Sequence, residues 1–401
     1  MKHVFHNHGM LGTWLIGQEE EAAVRKVLQA QSLFRHYGPN LLHAATQFEH
    51  AVAQKFDVPH ALAVNSGTSA LRCALMALGL KHGDEVLVPP CTFVATVNAV
   101  VLAGGIPVFA EIDDTLGLDP ERLAERITPR TVGILPVHLQ GMPCRIDRIV
   151  EVAQAHGLWV LEDAAQAMGC RYRNQFVGTF GDVGIFSLQA HKTITCGEGG
   201  LLLTQDESLY RKARRYQDQG GERRGDAYPD WGHPLAGFGE NLKISELHAA
   251  VAHEQLKKLE RIGQLMRTLH QQLTKQIDLA GRPLRTNLSP DGSVPYSLIF
   301  LAHNDADRQD VFAQLKAAEI PADGLYDYPV YRCPPMLRWA AGEAVFGLPA
   351  NMPTPQFEPC PDSENLMGRL VRIPLSPAYG DREIDHLVST FQAHSLPQVT
   401  T

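Results

Sequence analysis

The sequence has no C-x-x-C cysteine pair, no H-x₃-H or H-E-x-x-H histidine pair, no long apolar run and no surplus of positive charge. Its seven cysteines are Cys73, Cys91, Cys144, Cys170, Cys196, Cys333 and Cys360; they are odd in number and none forms a C-x-x-C pair. That argues against a disulfide framework and for free thiols in a reducing compartment. The 18 histidines show neither H-x₃-H nor H-E-x-x-H, so a zinc site has little support. No stretch approaches the roughly 18 consecutive apolar residues that span a bilayer. The segment Met1 to Gly12 carries three histidines and no long apolar core, so it does not read as a signal peptide. With 36 Lys and Arg against 44 Asp and Glu, the net charge of −8 argues against nucleic acid as a partner. A cytoplasmic protein with no membrane or nucleic-acid partner is expected.

What is present is an ordinary enzyme composition, 44% apolar and 20% charged, over 401 residues. That length suits two domains with a shared interface. Residues 18–31 and Thr46–Phe56 carry helical spacing. From residue 60, short apolar runs alternate with helical stretches: Ala61–Val64, Ser69–Leu80, Glu85–Val88, Val94–Leu102, Val108–Ala110, Asp119–Arg126, Val132–Val137, Ile146–His156 and Leu158–Glu162. Strands Val183–Ser187 and Gly200–Thr204 follow. This alternation predicts an α/β fold with a mainly parallel sheet covered by helices on both faces. Gly220–Pro234 has no periodicity and reads as a long loop. A long helix from Ile244 to about Gln272 leads away from the sheet. A smaller α/β part is expected beyond it, with a strand near Tyr296–Leu301, a helix near Asp307–Ala318 and a surface loop over Pro349–Pro361. The division expected is 1–260 for a large domain with an N-terminal helical arm and 261–401 for a small C-terminal domain.

Four segments carry chemistry. Asn65-Ser66-Gly67-Thr68-Ser69-Ala70-Leu71 follows a strand and opens a helix. Such a turn offers unpaired N–H groups and a positive dipole end to a phosphate, though any strand-to-helix turn has these features. Leu161-Glu162-Asp163-Ala164-Ala165-Gln166 ends an apolar strand, where open α/β sheets bind ligands. An acid there could serve a metal, a ribose or a protonated ring nitrogen, or simply be a solvated helix start. Lys192 stands between a strand end and the turn Gly197-Glu198-Gly199-Gly200. A lysine is most often a surface charge, but its amine can form a Schiff base with an aldehyde and then shuttle protons. Ser187 lies five residues earlier. Phe93, after another strand, offers a flat face for a ring, although a core role is commoner for phenylalanine.

The order S-G-T-S-A-L, E-D-A-A-Q and F-S-x₄-K-T-x-T-x-G-E-G-G resembles the DegT/StrS family of sugar aminotransferases over nearly the whole chain. The resemblance implies a pyridoxal 5'-phosphate (PLP) enzyme of aspartate-aminotransferase-like fold, with a seven-stranded sheet and a smaller C-terminal α/β domain. It implies that Lys192 forms the Schiff base, that Asp163 pairs with the pyridine nitrogen and that Gln166 contacts the phenolic oxygen. Gly67, Thr68, Ser69 and Ser187 would hold the phosphate and Phe93 would stack on the ring. Asn241 would reach the phosphate of a neighbouring subunit in a homodimer with shared sites, although Leu242 and Lys243 depart from the family's Asn-Tyr-Arg. Some members carry histidine in place of the lysine and become dehydratases. His191 is adjacent, but the motif register puts Lys192 in that place. The segments around Phe109–Asp113, Ile127–Thr131 and Lys192–Gly200 resemble a subgroup that aminates an 8-oxo octulosonate with glutamate. Nucleotide-linked ketohexoses and keto-cyclitols are the alternative acceptors, and glutamine the alternative donor. Arg223 and Arg224 are candidates for binding a substrate carboxylate, weighed against a solvated basic loop. The rival class is a PLP-binding sensor without turnover; a nicotinamide oxidoreductase is disfavoured by the missing glycine fingerprint.

Overall fold

The structure is a computed structural model that describes residues 11–392. All but the end of the Met1–Gly12 segment lies outside the described residues. Two helices come first, α1 (Gln18–Ala30) and α2 (Ala44–Phe56). Then strands and helices alternate: β1 (His60–Val64), α3 (Gly67–Leu78), β2 (Glu85–Val88), α4 (Val94–Leu102), β3 (Ile106–Phe109), β4 (Thr131–Ile134), α5 (Ile146–His156) and β5 (Trp159–Asp163). A short hairpin, β6 (Arg171–Tyr172) and β7 (Gln175–Phe176), precedes β8 (Val183–Ser187), β9 (Gly200–Thr204) and α6 (Glu207–Gln217).

The main sheet has seven strands in the order β1-β9-β8-β5-β4-β2-β3. Its inner pairs are parallel, while β9 runs antiparallel to both β8 and β1. Side chains alternate across a strand, and the apolar residues of these strands are buried on both faces. Ala61, Ala63, Ile134, Val160 and Phe186 join one core with α2, α5 and α7. Leu62, Val64, Leu135, Leu161 and Ile185 join the other with α3, α4 and α6. This explains why the strands read as continuous apolar runs rather than as alternating ones.

The helix α7 (Glu246–Gln276) continues without a break through residue 260, so the expected domain boundary falls inside a helix. Beyond it lie β10 (Ser297–Leu301), α8 (Asp305–Ala317), α9 (Pro334–Ala340), α10 (Pro361–Arg369), β11 (Leu370–Pro374) and α11 (Asp381–Gln392). β10 and β11 form a separate antiparallel pair.

Two elements differ from the sequence-based expectation. The helix expected over 119–126 is only a turn of 3₁₀ helix at Leu123–Arg126. Asp119 closes a local turn onto the Glu121 amide instead of capping a longer helix, and the chain must be extended again at Thr131 to enter β4. The helix α6 was not expected. Its eleven residues carry five charges, which mask the apolar spacing of Leu209, Tyr210, Ala213 and Tyr216. Asp206, which caps it by accepting from the Leu209 amide, was the available signal.

Candidate active site

The strands β1, β2, β5 and β8 all point the same way, so their C-terminal ends share one edge of the sheet. Asn65, Phe93, Asp163 and Ser187 stand there, the edge at which open α/β sheets bind ligands.

The first turn of α3 forms a cradle. Ser66 caps the helix by accepting from the Ser69 amide at 3.0 Å, and its carbonyl accepts from the Ala70 amide. First-turn N–H groups have no intrahelical acceptor, so the Gly67 and Thr68 amides remain to face a ligand. Ser69 Oγ donates to Asn65 Oδ1 at 2.6 Å, which leaves Ser66 Oγ to donate to Ser69 at 2.8 Å. A Cβ on Gly67 would meet the Ser187 Cβ at 2.9 Å, and one on Gly200 would meet the Ser66 carbonyl oxygen at 2.3 Å. Glycine at both positions lets β8 and β9 close against the helix start. Thr68 is exposed, Ser69 half-buried and Ser187 buried.

Asp163 is buried at the end of β5, 4% exposed. Its carboxylate accepts from Thr96 Oγ1 at 2.8 Å and from the Ala165 amide at 3.0 Å. Burial raises its pKa above the ordinary value, against those two donors and the positive charge of Lys192. Lys192 is half-buried, and its amine makes no hydrogen bond or ion pair among the described residues. Burial lowers its pKa, with Asp163 opposing. Its backbone is fixed on both sides. The Lys192 carbonyl accepts from the Gly12 amide at 3.0 Å, and the hydroxyl of Tyr296 meets the Thr193 amide at 3.1 Å and the Thr193 hydroxyl at 2.7 Å.

Gln166 is buried and oriented. Its Oε1 accepts from the Gln140 amide at 3.2 Å and from Gln140 Nε2 at 2.9 Å, so its Nε2 must donate elsewhere. Phe93 is 57% exposed and precedes α4, which leaves its ring open to a ligand. Asn241 is exposed at the rim. Its neighbour Leu242 accepts from the Asn65 amide at 2.8 Å, so this segment lies directly against the cradle.

The two arginines part company. Arg223 is buried, with Nε and NH2 each 2.7 Å from Asp218 Oδ2 and NH1 2.6 Å from the Ala227 carbonyl oxygen. Its guanidinium is committed to its own loop. Arg224 is exposed, its guanidinium without a hydrogen bond or ion pair among the described residues, and lines a cavity of about 510 Å³ with Arg211, Arg214 and Arg215. Sequence reasoning missed Thr96, Gln140, Tyr296 and Tyr326, which reach the site from distant segments and carry no motif. No cluster of His, Cys, Asp or Glu suited to a metal occurs among the described residues, and no helix there is long and apolar enough to cross a membrane.

These residues fit PLP: an unpaired amine, a buried carboxylate within its field and a glycine-lined cradle for phosphate. Residues 15–392 match the DegT/DnrJ/EryC1/StrS aminotransferase family. The chain is 32% identical over 388 residues to the spore coat polysaccharide biosynthesis protein SpsC of Bacillus subtilis, covering 93% of this chain and 94% of that one. It is 42% identical over 215 residues to the GDP-perosamine synthase of Caulobacter vibrioides, covering 53% of this chain and 56% of that one. Among solved structures it resembles DesV of S. venezuelae, with a TM-score of 0.80 and 29% identity over 94% of each chain. It also resembles NtdA of Bacillus subtilis, solved with the cofactor PMP, with a TM-score of 0.79 and 26% identity over 94% of this chain and 82% of that one. The chain belongs to the DegT/DnrJ/EryC1/StrS family and is a PLP-dependent sugar aminotransferase.

Proposed function

We propose that Lys192 is the residue through which this enzyme moves an amino group from glutamate or glutamine to a keto-sugar. The observation that carries this is the half-buried, unpaired Lys192 amine in the field of buried Asp163. Bound PLP supplies an electrophilic carbon for amines and a ring that takes up the electron pair left when the neighbouring carbon loses its proton. The protein's own groups do the rest. The Lys192 amine, its pKa lowered by burial, accepts that proton and returns it elsewhere. Asp163 would hold the proton on the pyridine nitrogen, and Gln166 Nε2 would donate to the phenolic oxygen. The Gly67 and Thr68 amides, with Ser69 and Ser187, would hold the phosphate. Phe93 would cover one face of the ring.

A nucleotide-linked ketohexose is the acceptor class favoured by the relatives named GDP-perosamine synthase. An 8-oxo octulosonate and a keto-cyclitol are the other candidates. Two copies sharing their sites fit the position of Asn241, exposed beside the cradle. The exposed rings of Tyr228, Trp231 and Phe238 on the adjoining loop offer apolar surface to a partner. The seven unpaired cysteines fit a cytoplasmic setting. The deciding experiment offers the holoenzyme each acceptor with glutamate or glutamine and reads 2-oxo-acid release. Release with one sugar supports the reading; a stable visible band without release from any donor would favour a sensor.

A further inference from the structure

A cavity of about 400 Å³ lies between the β2–α4 turn and the loop 323–333 of the C-terminal part, with Thr92, Asp323, Tyr326 and Asp327 in its walls. Two hydrogen-bond chains run from these walls to the cofactor-facing residues. Thr92 Oγ1 is 2.9 Å from Thr96 Oγ1, which is 2.8 Å from Asp163 Oδ2. An ionised carboxylate only accepts, so Thr96 donates to Asp163 and Thr92 donates to Thr96. The oxygen of Thr92 is left free to accept from a ligand.

The second chain has an equally fixed direction. Ser297 Oγ donates to Gln140 Oε1 at 2.8 Å, which turns Gln140 Nε2 toward Gln166 Oε1. Gln166 Nε2 must then point the other way, where it donates to the Tyr326 hydroxyl at 3.4 Å. That contact uses Tyr326 as an acceptor, so the hydroxyl proton of Tyr326 stays available. Tyr326 is half-buried and lines the cavity, so its hydroxyl proton is placed to be given to a ligand there.

We infer that Tyr326 is a positioning residue for Gln166 and, through its own hydroxyl proton, a binding residue for an uncharged, hydroxyl-bearing part of the acceptor. The inference rests on the aminotransfer reading above and narrows its acceptor. No Lys, Arg or His lines the cavity. Asp323 is held by Arg372, with Nε and Oδ1 2.7 Å apart. Asp327 is exposed with no hydrogen bond or ion pair among the described residues, so it can accept from sugar hydroxyls. A carboxylate lodged in this cavity would meet the Asp327 carboxylate, while the nearby Arg372 is already paired with Asp323.

The test is Tyr326→Phe in the holoenzyme, with the two half-reactions measured separately. Phenylalanine keeps the ring and removes only the hydroxyl. We expect the acceptor KM to rise about ten-fold, as for the loss of one hydrogen bond to substrate, with the donor KM unchanged. The visible band of the holoenzyme should also shift, because Gln166 loses the partner that orients it. Unchanged acceptor KM with an unchanged band would overturn the inference, as would equal rises in both KM values. Thermal unfolding of the variant separates these outcomes from misfolding, and Tyr326→Leu, which removes the ring as well, should give at least the same acceptor defect. If the wild type forms no visible band with PLP and releases no 2-oxo acid from a donor, the aminotransfer reading itself fails, whatever Tyr326 does.

Discussion

Asp163 and Asp218 are buried to nearly the same degree, 4% and 6% exposed, and each has a lysine nearby. Asp218 is saturated. Arg223 and Lys243 both bond to it directly, and although burial works against them they hold its pKa below the ordinary value. Asp163 has a threonine and one amide as donors, with Lys192 near enough to be felt but not bonded. Its pKa is raised instead. The same two residue types thus build a closed ion-pair cluster at the rim and an open pair at the centre. The closed cluster fixes the loop around residues 218–243. The open pair keeps a carboxylate and an amine available for cofactor and substrate, at a cost in stability that the packed sheet beneath can carry.

The largest effect that would break this contrast is at Lys192. Lys192→Ala should lower turnover on the order of a thousand-fold or more, as for loss of a covalent catalyst, and abolish the visible band. Because its amine makes no hydrogen bond or ion pair among the described residues, unfolding should change little. A variant still transaminating near the wild-type rate would refute the role. Lys243→Ala should do the opposite, with kcat largely kept in the folded fraction. Removing one partner of a buried pair costs about 3–5 kcal/mol, and Asp218→Ala should resemble it. Urea unfolding beside steady-state kinetics reads both.

Next in size is Asp163→Asn. Loss of a charge-assisted contact in a preorganised site should cost about 2.7–4 kcal/mol of transition-state stabilisation. The apo protein should show the reverse in stability. An acid whose folded pKa is raised gives stability that is present below the unfolded value and lost as pH rises through the folded pKa. The asparagine variant escapes that loss. Its unfolding midpoint should therefore match wild type near pH 4 and exceed it near pH 7. A lower midpoint at pH 7 would show that Asp163 stabilises the apo fold and that the contrast with Asp218 is wrong.

The cradle, the acid and the lysine were legible because each lies in a local segment at a strand end, where spacing and residue type suffice, and the strand–helix alternation showed a mainly parallel sheet but not its strand order. Thr96 and Gln140 were not, since they act through contacts 67 and 26 residues away along the chain. Tyr326 is further still, 160 residues from Gln166, and only the packing of the C-terminal part on the sheet brings it there. The helix α6 was hidden by its charges, of which Glu207, Arg211, Arg214 and Arg215 line the cavity beside Arg224. Arg223 and Arg224 look equivalent in sequence. Folding alone separates them, by placing Asp218 within reach of one.

That separation gives the smallest and most selective prediction. Arg224→Ala should change stability by no more than about 0.5 kcal/mol, because an exposed side chain without partners leaves nothing behind. Arg223→Ala should destabilise strongly, because it strips a cation from buried Asp218. If Arg224 and its cationic neighbours attract an anionic reactant, they do so from an exposed rim, where attraction is long-ranged and screened by salt. The KM for that reactant should then rise about three-fold in Arg224→Ala at low salt, with kcat kept, as expected for a rim charge. Wild type should show the same rise when ionic strength is increased to about 0.5 M, where the screening length is only a few ångströms. The variant should respond less to that change, since part of its attraction is already gone. Equal salt responses in the two proteins, with equal KM at low salt, would leave Arg224 as a solvated loop residue and the cavity's charge without a part in binding.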